Sequence, residues 1–154
     1  MDKRDPRIFY IKLHGSQDWF KDNTNQMMVI GHGKSERIEV EPLLKWYFDI
    51  FNEQLKKVET NLLIIGYSFR DEHINQAIYN NRDNIQIYII NPQSFESFST
   101  DLTKKPFGTE IKKLIKKYYP VDLIELIGTG SQNPHPYWNQ LQVEFFNNQW
   151  YNNK

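Results

Sequence analysis

A run of hydrophobic residues at three- and four-residue spacing follows Pro42. This spacing places the side chains on one face of a helix, and proline is favoured in the first turn of a helix. The pattern therefore predicts a helix that begins at Pro42 and ends near residues 59–61. The residues of its apolar face are Leu44, Tyr47, Phe48, Phe51, Leu55 and Val58.

Two continuous apolar runs flank a second amphipathic segment. Residues 62–65 (LLII) and 85–90 (IQIYII) lack the alternation of a half-exposed strand, which favours strands covered on both faces of a parallel sheet. Gly66 ends the first run and Asn91 follows the second. Between them, Asp71 can cap a helix. This succession of strand, helix and strand over about 30 residues is typical of a right-handed βαβ crossover.

The rest of the chain extends this alternation. The predicted elements are strands at 7–13 (RIFYIKL) and 121–127 (VDLIELI), helices at 108–119 and 135–147, and a loop at 17–41 with a short hairpin at 27–30 and 37–40. About four strands and four helices therefore alternate along the chain. The pattern predicts an α/β fold with a Rossmann-like parallel sheet and flanking helices.

The composition fits one domain and argues against several classes of site. The chain has 154 residues, 39% of them hydrophobic, which suffices for a core. The formal net charge is zero, so no strong nucleic-acid signal is present. The absence of cysteine excludes disulfides and thiolate zinc sites, and the four histidines show no metal-ligand spacing, so no metal is expected. Neither a P-loop nor a GxGxxG motif occurs.

The ends of the chain carry no membrane signal. The N-terminal sequence MDKRDPRIFY lacks the apolar core of a signal peptide. No run approaches the ~18–20 apolar residues that span a bilayer. These features predict a soluble, cytoplasmic protein.

Small and polar residues follow each predicted strand. In an open parallel sheet, ligands bind in the crevice outside the carboxyl ends of the strands, so these residues could line one rim and hold a nucleotide. They are His14-Gly15-Ser16, Gly66-Tyr67-Ser68, Asn91-Pro92 and Gly128-Thr129-Gly130. A glycine at a strand end more often reflects ordinary turn chemistry than ligand binding. Asp71 fits a helix cap better than a ligand contact, and a surface or half-buried position suits His73 better than a catalytic role.

Three segments in order resemble the sirtuin-like superfamily, and more narrowly its bacterial branch found in anti-phage defence proteins. They are IKLHGSQDW (11–19), LLIIGYSFRDEHIN (62–75) and IYIIN (87–91). The resemblance implies that His14 is the catalytic histidine and that Asn91 contacts the adenine-side ribose of NAD. It further implies that Gly66, Tyr67 and Ser68 form the G-[TY]-S segment that contacts NAD, and that Gly128 and Thr129 approach adenine.

The sequence departs from this family in two ways. A short insert at 22–41 stands where the family has a four-cysteine zinc ribbon. The N-terminal half, with its glycine-rich phosphate loop, has no counterpart. We therefore interpret residues 1–147 as the C-terminal half of a sirtuin-type NAD-binding fold, followed by a frayed polar tail at 148–154. The missing half would come from a longer protein or from a companion chain.

The resemblance implies hydrolysis of NAD, as substrate, to ADP-ribose and nicotinamide, with His14 as general base, in antiviral defence. The isolated chain is expected to be inactive. Three alternatives stay open: an NAD-dependent protein deacylase, a non-catalytic module that binds NAD or ADP-ribose or serves in assembly, and an inactive remnant. Since an unpaired edge strand favours association, a homo-oligomer also stays open.

Overall fold

A computed structural model of the protein describes residues 11–22, 25–29, 31, 33–128 and 133–147. The chain divides into two units, Met1–Gln54 and Leu55–Lys154. No helix among the described residues is long and apolar enough to cross a bilayer. The predicted polar tail at 148–154 lies outside the described residues.

The first unit joins a small antiparallel sheet to two helices. Strand β1 (Gly15–Phe20) pairs with β2 (Gln26–Met28). Helices α1 (Lys34–Val40) and α2 (Pro42–Leu55) follow. The core of this unit consists of the buried Val29, Ile38 and Leu44, with Phe48 packed against them.

Three sequence predictions for this unit are corrected. Residues 37–40, predicted in a hairpin, belong to α1. The predicted strand at 7–13 is not formed by residues 11–13, and residues 7–10 lie outside the described part. The helix from Pro42 is confirmed but ends at Leu55 rather than near 59–61. The chain cannot stay helical as far as residues 59–61, because Glu59 has a left-handed φ of 60° and Thr60 already begins a strand.

A three-stranded parallel sheet organises the second unit. Its strands β3 (Thr60–Ile65), β4 (Ile85–Ile90) and β5 (Ile115–Tyr119) lie in the order β3-β4-β5. Helix α3 (Glu72–Asn80) connects β3 to β4. The predicted α/β class, with a parallel Rossmann-like sheet flanked by helices, is therefore confirmed.

Helices cover both faces of this sheet. Between β4 and β5, the chain forms α4 (Phe95–Thr103) and α5 (Gly108–Lys113). After β5 come α6 (Leu123–Ile127), α7 (Pro136–Leu141) and a π-helical segment (Gln142–Asn147). Tyr88, Ile90 and Tyr119 pack with side chains of these last helices. Because side chains alternate along a strand, the buried Ile87 and Ile89 point to the opposite face.

Two predictions in the second half of the chain are wrong. The predicted helix at 108–119 ends at Lys113, and Ile115–Tyr119 instead pairs with β4 as a strand. The predicted strand at 121–127 is helix α6, because the Asp122 side chain accepts a hydrogen bond of 2.7 Å from the Glu125 N–H and caps it. The closing helix predicted at 135–147 is confirmed as α7 and the π-helical segment.

Candidate functional site: the strand-end cavity of the second unit

The carboxyl ends of β3 and β4 lie side by side. Their register pairs Ile65 with Ile90, the last residue of each strand. Gly66 and Asn91 are therefore the first residues beyond adjacent strands, and the Gly66 N–H donates to the Ile90 carbonyl at 3.4 Å. This is the edge of a parallel sheet at which ligands usually bind.

A cavity of about 620 Å³ opens at this edge. This volume lies within the range of ~300–1,000 Å³ typical of small-molecule pockets. One wall is the turn at 66–70, and the residues after β4, Asn91 to Gln93, form the floor. Helix α4 and the residues after it contribute Phe98, Asp101 and Lys105. We name the turn formed by residues 66–70 the pocket wall.

The pocket wall has an unusual backbone. Gly66 has a φ of 64° and Phe69 a φ of 55°, both in the left-handed region. Glycine adopts this conformation without cost, whereas phenylalanine does not. Phe69 is held by its packing, since its side chain is only 1% exposed and its ring lies 4.7 Å from that of Tyr67 and 5.9 Å from that of Phe98.

The hydroxyl of Tyr67 is used within the protein. Tyr67 Oη lies 3.1 Å from the carbonyl oxygen of Asp71 and 3.1 Å from Asn75 Oδ1, so it can donate to either. Burial, with the nearby charge of Asp71, raises the pKa of Tyr67 well above its ordinary value. Tyr67 therefore stays a neutral donor, and a ligand would meet its ring or backbone.

Asn91 shapes the floor of the cavity. Its Oδ1 accepts a hydrogen bond of 2.9 Å from the Gln93 N–H, which fixes the plane of the side-chain amide. The Asn91 N–H donates to the Tyr119 carbonyl at 3.2 Å, so the residue is also tied to β5. The amide Nδ2 is the donor that this geometry can offer to a sugar hydroxyl.

Basic side chains dominate the charge at the cavity. Arg70 and Lys105 line it, together with one acid, Asp101. Asp101 pairs with Lys104 at 3.0 Å, which offsets its negative charge. No ion pair is seen for Arg70 or Lys105 among the described residues. The cavity is therefore suited to a ligand that carries anionic groups.

The structure brings four of the predicted site residues to one cavity. Gly66, Tyr67, Ser68 and Asn91 all line it. Gly128 does not lie among its lining residues; it ends helix α6, so its predicted place after a strand is wrong. Thr129 lies outside the described residues.

His14 belongs to the first unit, where it directly precedes β1. The expectation that it ends a strand is not met by the described residues, since 11–13 form none. Its carbonyl oxygen accepts a hydrogen bond of 2.9 Å from the Val29 N–H. The adjacent Gly15 has a φ of 73°, and a Cβ there would overlap the Met27 carbonyl, so only glycine fits beside His14.

Sequence reasoning missed the contribution of α4. No helix is predicted between Asn91 and residue 108, although Ser94 caps α4 by accepting a hydrogen bond of 3.3 Å from the Ser97 N–H. Ser94 just after Asn91-Pro92 was the available signal. Recognition of this helix would have placed Asp101 and Lys105, four residues apart, near the same strand end.

Comparison with known proteins identifies one family. Residues 1–118 match the family described as a SIR2-like domain. No curated protein and no solved structure matches the chain. SIR2-like domains use NAD, which makes NAD the ligand to consider for the cavity. In the described part of the chain, no group of three or more histidine or acidic side chains could hold a metal ion.

Proposed function

The chain belongs to the family of SIR2-like domains, and we propose that it is the NAD-binding portion of an NAD hydrolase. The observation that carries the proposal is the strand-end cavity, where Gly66, Ser68 and Asn91 meet. These are the residues that the resemblance assigns to NAD contacts. The products would be ADP-ribose and nicotinamide.

The cavity offers a partner for each polar part of the adenosine diphosphate moiety. Ser68 is exposed on the pocket wall and can donate to a phosphate oxygen. Lys105 and Arg70 supply positive charge for the diphosphate. Asn91 would donate from Nδ2 to a ribose hydroxyl. Gly66 lacks a Cβ, so a ligand can approach the backbone closely there.

We assign the general base to His14. In the proposed reaction, a water oxygen bonds to C1′ of the nicotinamide ribose while the bond from C1′ to the pyridinium nitrogen breaks. Nicotinamide leaves with the bonding electron pair, and the proton of the water passes to the imidazole. Histidine suits this step because its ordinary pKa is near neutrality. The support for His14 is its match to the family's catalytic position and its fixed backbone beside Gly15.

The proposed setting is cytoplasmic antiviral defence. Its support is the resemblance of IKLHGSQDW and GYSFRDEHIN to the anti-phage branch. The proposed partner is the N-terminal half of the catalytic domain, in the same protein or in a companion chain. By this proposal the isolated 154 residues release little or no nicotinamide.

Release of nicotinamide from NAD tests the assignment. In the protein completed by its N-terminal half, His14→Ala should lower turnover by about 10²–10⁴-fold, the usual contribution of a general base, and leave NAD affinity nearly unchanged. The matched control is His73→Ala, since His73 is a half-buried histidine on α3 that does not line the cavity. Robust turnover by His14→Ala would refute the general-base role.

Three other outcomes point to different functions. NAD binding without nicotinamide release, by the completed wild-type protein, would favour a non-catalytic binding module. Release that depends on an acyl-lysine peptide would favour a deacylase. Strong cleavage by the isolated chain would refute the need for a missing half.

A further inference from the structure

Asn75 is a fully buried polar side chain outside the set of proposed ligand contacts. It lies in the first turns of α3, is 0% exposed, and does not line the cavity. A buried side-chain amide is costly unless its hydrogen bonds are satisfied. Its partners therefore indicate why an asparagine occupies this position.

The amide of Asn75 joins three backbone or side-chain groups. Nδ2 donates to the Phe69 carbonyl at 2.8 Å and to the Pro106 carbonyl at 3.1 Å. Oδ1 lies 3.1 Å from the Tyr67 hydroxyl, which can donate to it. Both N–H groups of the amide are thus used. They bind carbonyl groups of two segments that are distant in the sequence, at Phe69 and at Pro106.

Both of these segments contain a strained residue. Phe69 has a φ of 55°, and Phe107, directly after Pro106, has a φ of 59°. Non-glycine residues adopt this conformation only where surrounding contacts impose it. The carbonyl of Phe69 and the carbonyl before Phe107 are both fixed by the same amide, so Asn75 holds two unfavourable turns together.

One of these turns is the pocket wall, and the other directly follows Lys105. Two of the groups that we assign to the diphosphate, Ser68 and Lys105, are each one residue from a carbonyl that Asn75 binds. Release of the amide would free both turns at once. Ser68 and Lys105 would then no longer be held at a fixed position relative to each other.

We infer that Asn75 is the positioning residue of the nucleotide pocket, holding the pocket wall and the segment after α4 in the shape that binds the diphosphate of NAD. The assignment of the ligand rests on the proposed function. The assignment of Asn75 to the wall rests on its own hydrogen bonds. The experiment therefore measures the order of the pocket wall and the binding of NAD separately.

The first measurement is hydrogen–deuterium exchange of the nucleotide-free protein. Asn75→Ala should selectively speed exchange of the amides at 66–70 and of those of Lys104, Lys105 and Phe107. The matched control is Asn81→Ala at the other end of α3, where Nδ2 donates to the Ala77 carbonyl at 2.8 Å. Asn81→Ala should leave both segments unchanged. Unchanged exchange at 66–70 in Asn75→Ala would overturn the inference, whether or not the wild type binds NAD.

The second measurement is the dissociation constant for NAD, by calorimetry. Asn75→Ala should weaken binding by about tenfold or more, as expected when hydrogen bonds that order a site are lost, and Asn81→Ala should not. Faster exchange with unchanged affinity would refute the role in the nucleotide pocket. If the wild-type protein completed by its N-terminal half fails to bind NAD, the proposed function is refuted, and the exchange result alone decides the positioning role.

A milder variant covers the case in which Asn75→Ala does not fold. Tyr67→Phe keeps the ring that packs on Phe69 and removes only the hydroxyl near Asn75 Oδ1. We expect a smaller increase in exchange, confined to the same pocket wall. An increase spread evenly over α3 and the sheet would contradict the inference.

Discussion

The hydroxyl of Tyr119 donates a hydrogen bond of 3.1 Å to Glu144 Oε2. Tyr119 ends β5, and Glu144 lies in the π-helical segment near the end of the described chain. Glu144 Oε1 also pairs with Lys117 at 3.0 Å, and its carbonyl oxygen lies 3.3 Å from the Tyr88 hydroxyl. Glu144 therefore fastens the last helical segment to two strands of the sheet.

Tyr119→Phe should lower the free energy of unfolding by about 1 kcal/mol, the usual net value of one hydrogen bond. Lys117→Ala should cost at most about 1 kcal/mol, because this ion pair is partly exposed to solvent. Urea denaturation measures both changes. The control is Lys116→Ala, whose ammonium contacts Gln86 and lies over the ring of Tyr88. Equal losses in the Lys116 and Tyr119 variants would argue against a specific role of Glu144.

In the protein completed by its N-terminal half, Ser68→Ala should weaken NAD binding without unfolding the protein. Ser68 is exposed on the pocket wall, so its loss should change stability by less than about 0.5 kcal/mol. One hydrogen bond to the ligand is worth about 0.5–1.5 kcal/mol, which corresponds to a rise in Kd of roughly two- to twelvefold. Calorimetry with NAD measures the effect, and Ser97→Ala, on the exposed surface of α4, is the control. Loss of the fold with unchanged affinity would make Ser68 structural.

Lys105→Ala should weaken binding of ADP-ribose by about tenfold, since it removes a charge-assisted contact to phosphate. Lys112→Ala provides the control, because Lys112 is an exposed lysine of α5 that does not line the cavity. The difference between the two variants should shrink at high salt and vanish for adenosine, which carries no phosphate. An equal loss of adenosine affinity would show that Lys105 does not recognise the phosphates.

Gly108→Ala should destabilise the protein more than Gly66→Ala. A Cβ at Gly108 would overlap the Leu102 carbonyl oxygen, so α4 and α5 must separate. Such overpacking costs about 3 kcal/mol at the upper end of its usual range. At Gly66 a Cβ meets no atom within 4 Å, and only the left-handed backbone adds strain, about 1–2 kcal/mol. Thermal and urea unfolding of the two variants would test this order.

Tyr118 should make stability fall at high pH. Burial raises the pKa of Tyr118 from its ordinary value of 10.0 to about 12. Because the folded state holds the proton more tightly, this contribution is complete below pH 10 and is lost as the pH rises from 10 to about 12. Urea unfolding across this range should show a steeper loss for the wild type than for Tyr118→Phe. The same pH dependence of the free energy of unfolding in both proteins would contradict the assigned burial of Tyr118.

Local sequence signals were sufficient for the segment from β3 to β4. The continuous apolar runs and the glycine at 66 predicted both strands, and helix α3 lies between them as expected. The parallel pairing followed from the lack of alternation. The meeting of Gly66 and Asn91 could therefore be predicted, because it depends only on two adjacent parallel strands ending together.

Non-local pairing and unrecognised caps account for the failures. The sequence of β5, IKKYY, continues the basic pattern of α5, and only its pairing with β4 makes it a strand. In α6, Asp122 and Glu125 have the spacing of a capping pair, a signal that was outweighed by the apolar residues between and after them. Asn75 was beyond prediction, because its partner Pro106 is brought near by tertiary structure alone.

The covering of the sheet by α7 and the π-helical segment has a practical consequence for truncation. The SIR2-like match ends at residue 118, before Tyr119 completes β5 and before any of the helices that pack on Tyr88 and Ile90. A protein cut at that boundary would expose an aromatic and aliphatic sheet surface to water. Expression of the second unit should therefore extend through at least Asn147, since a shorter product would be prone to aggregate.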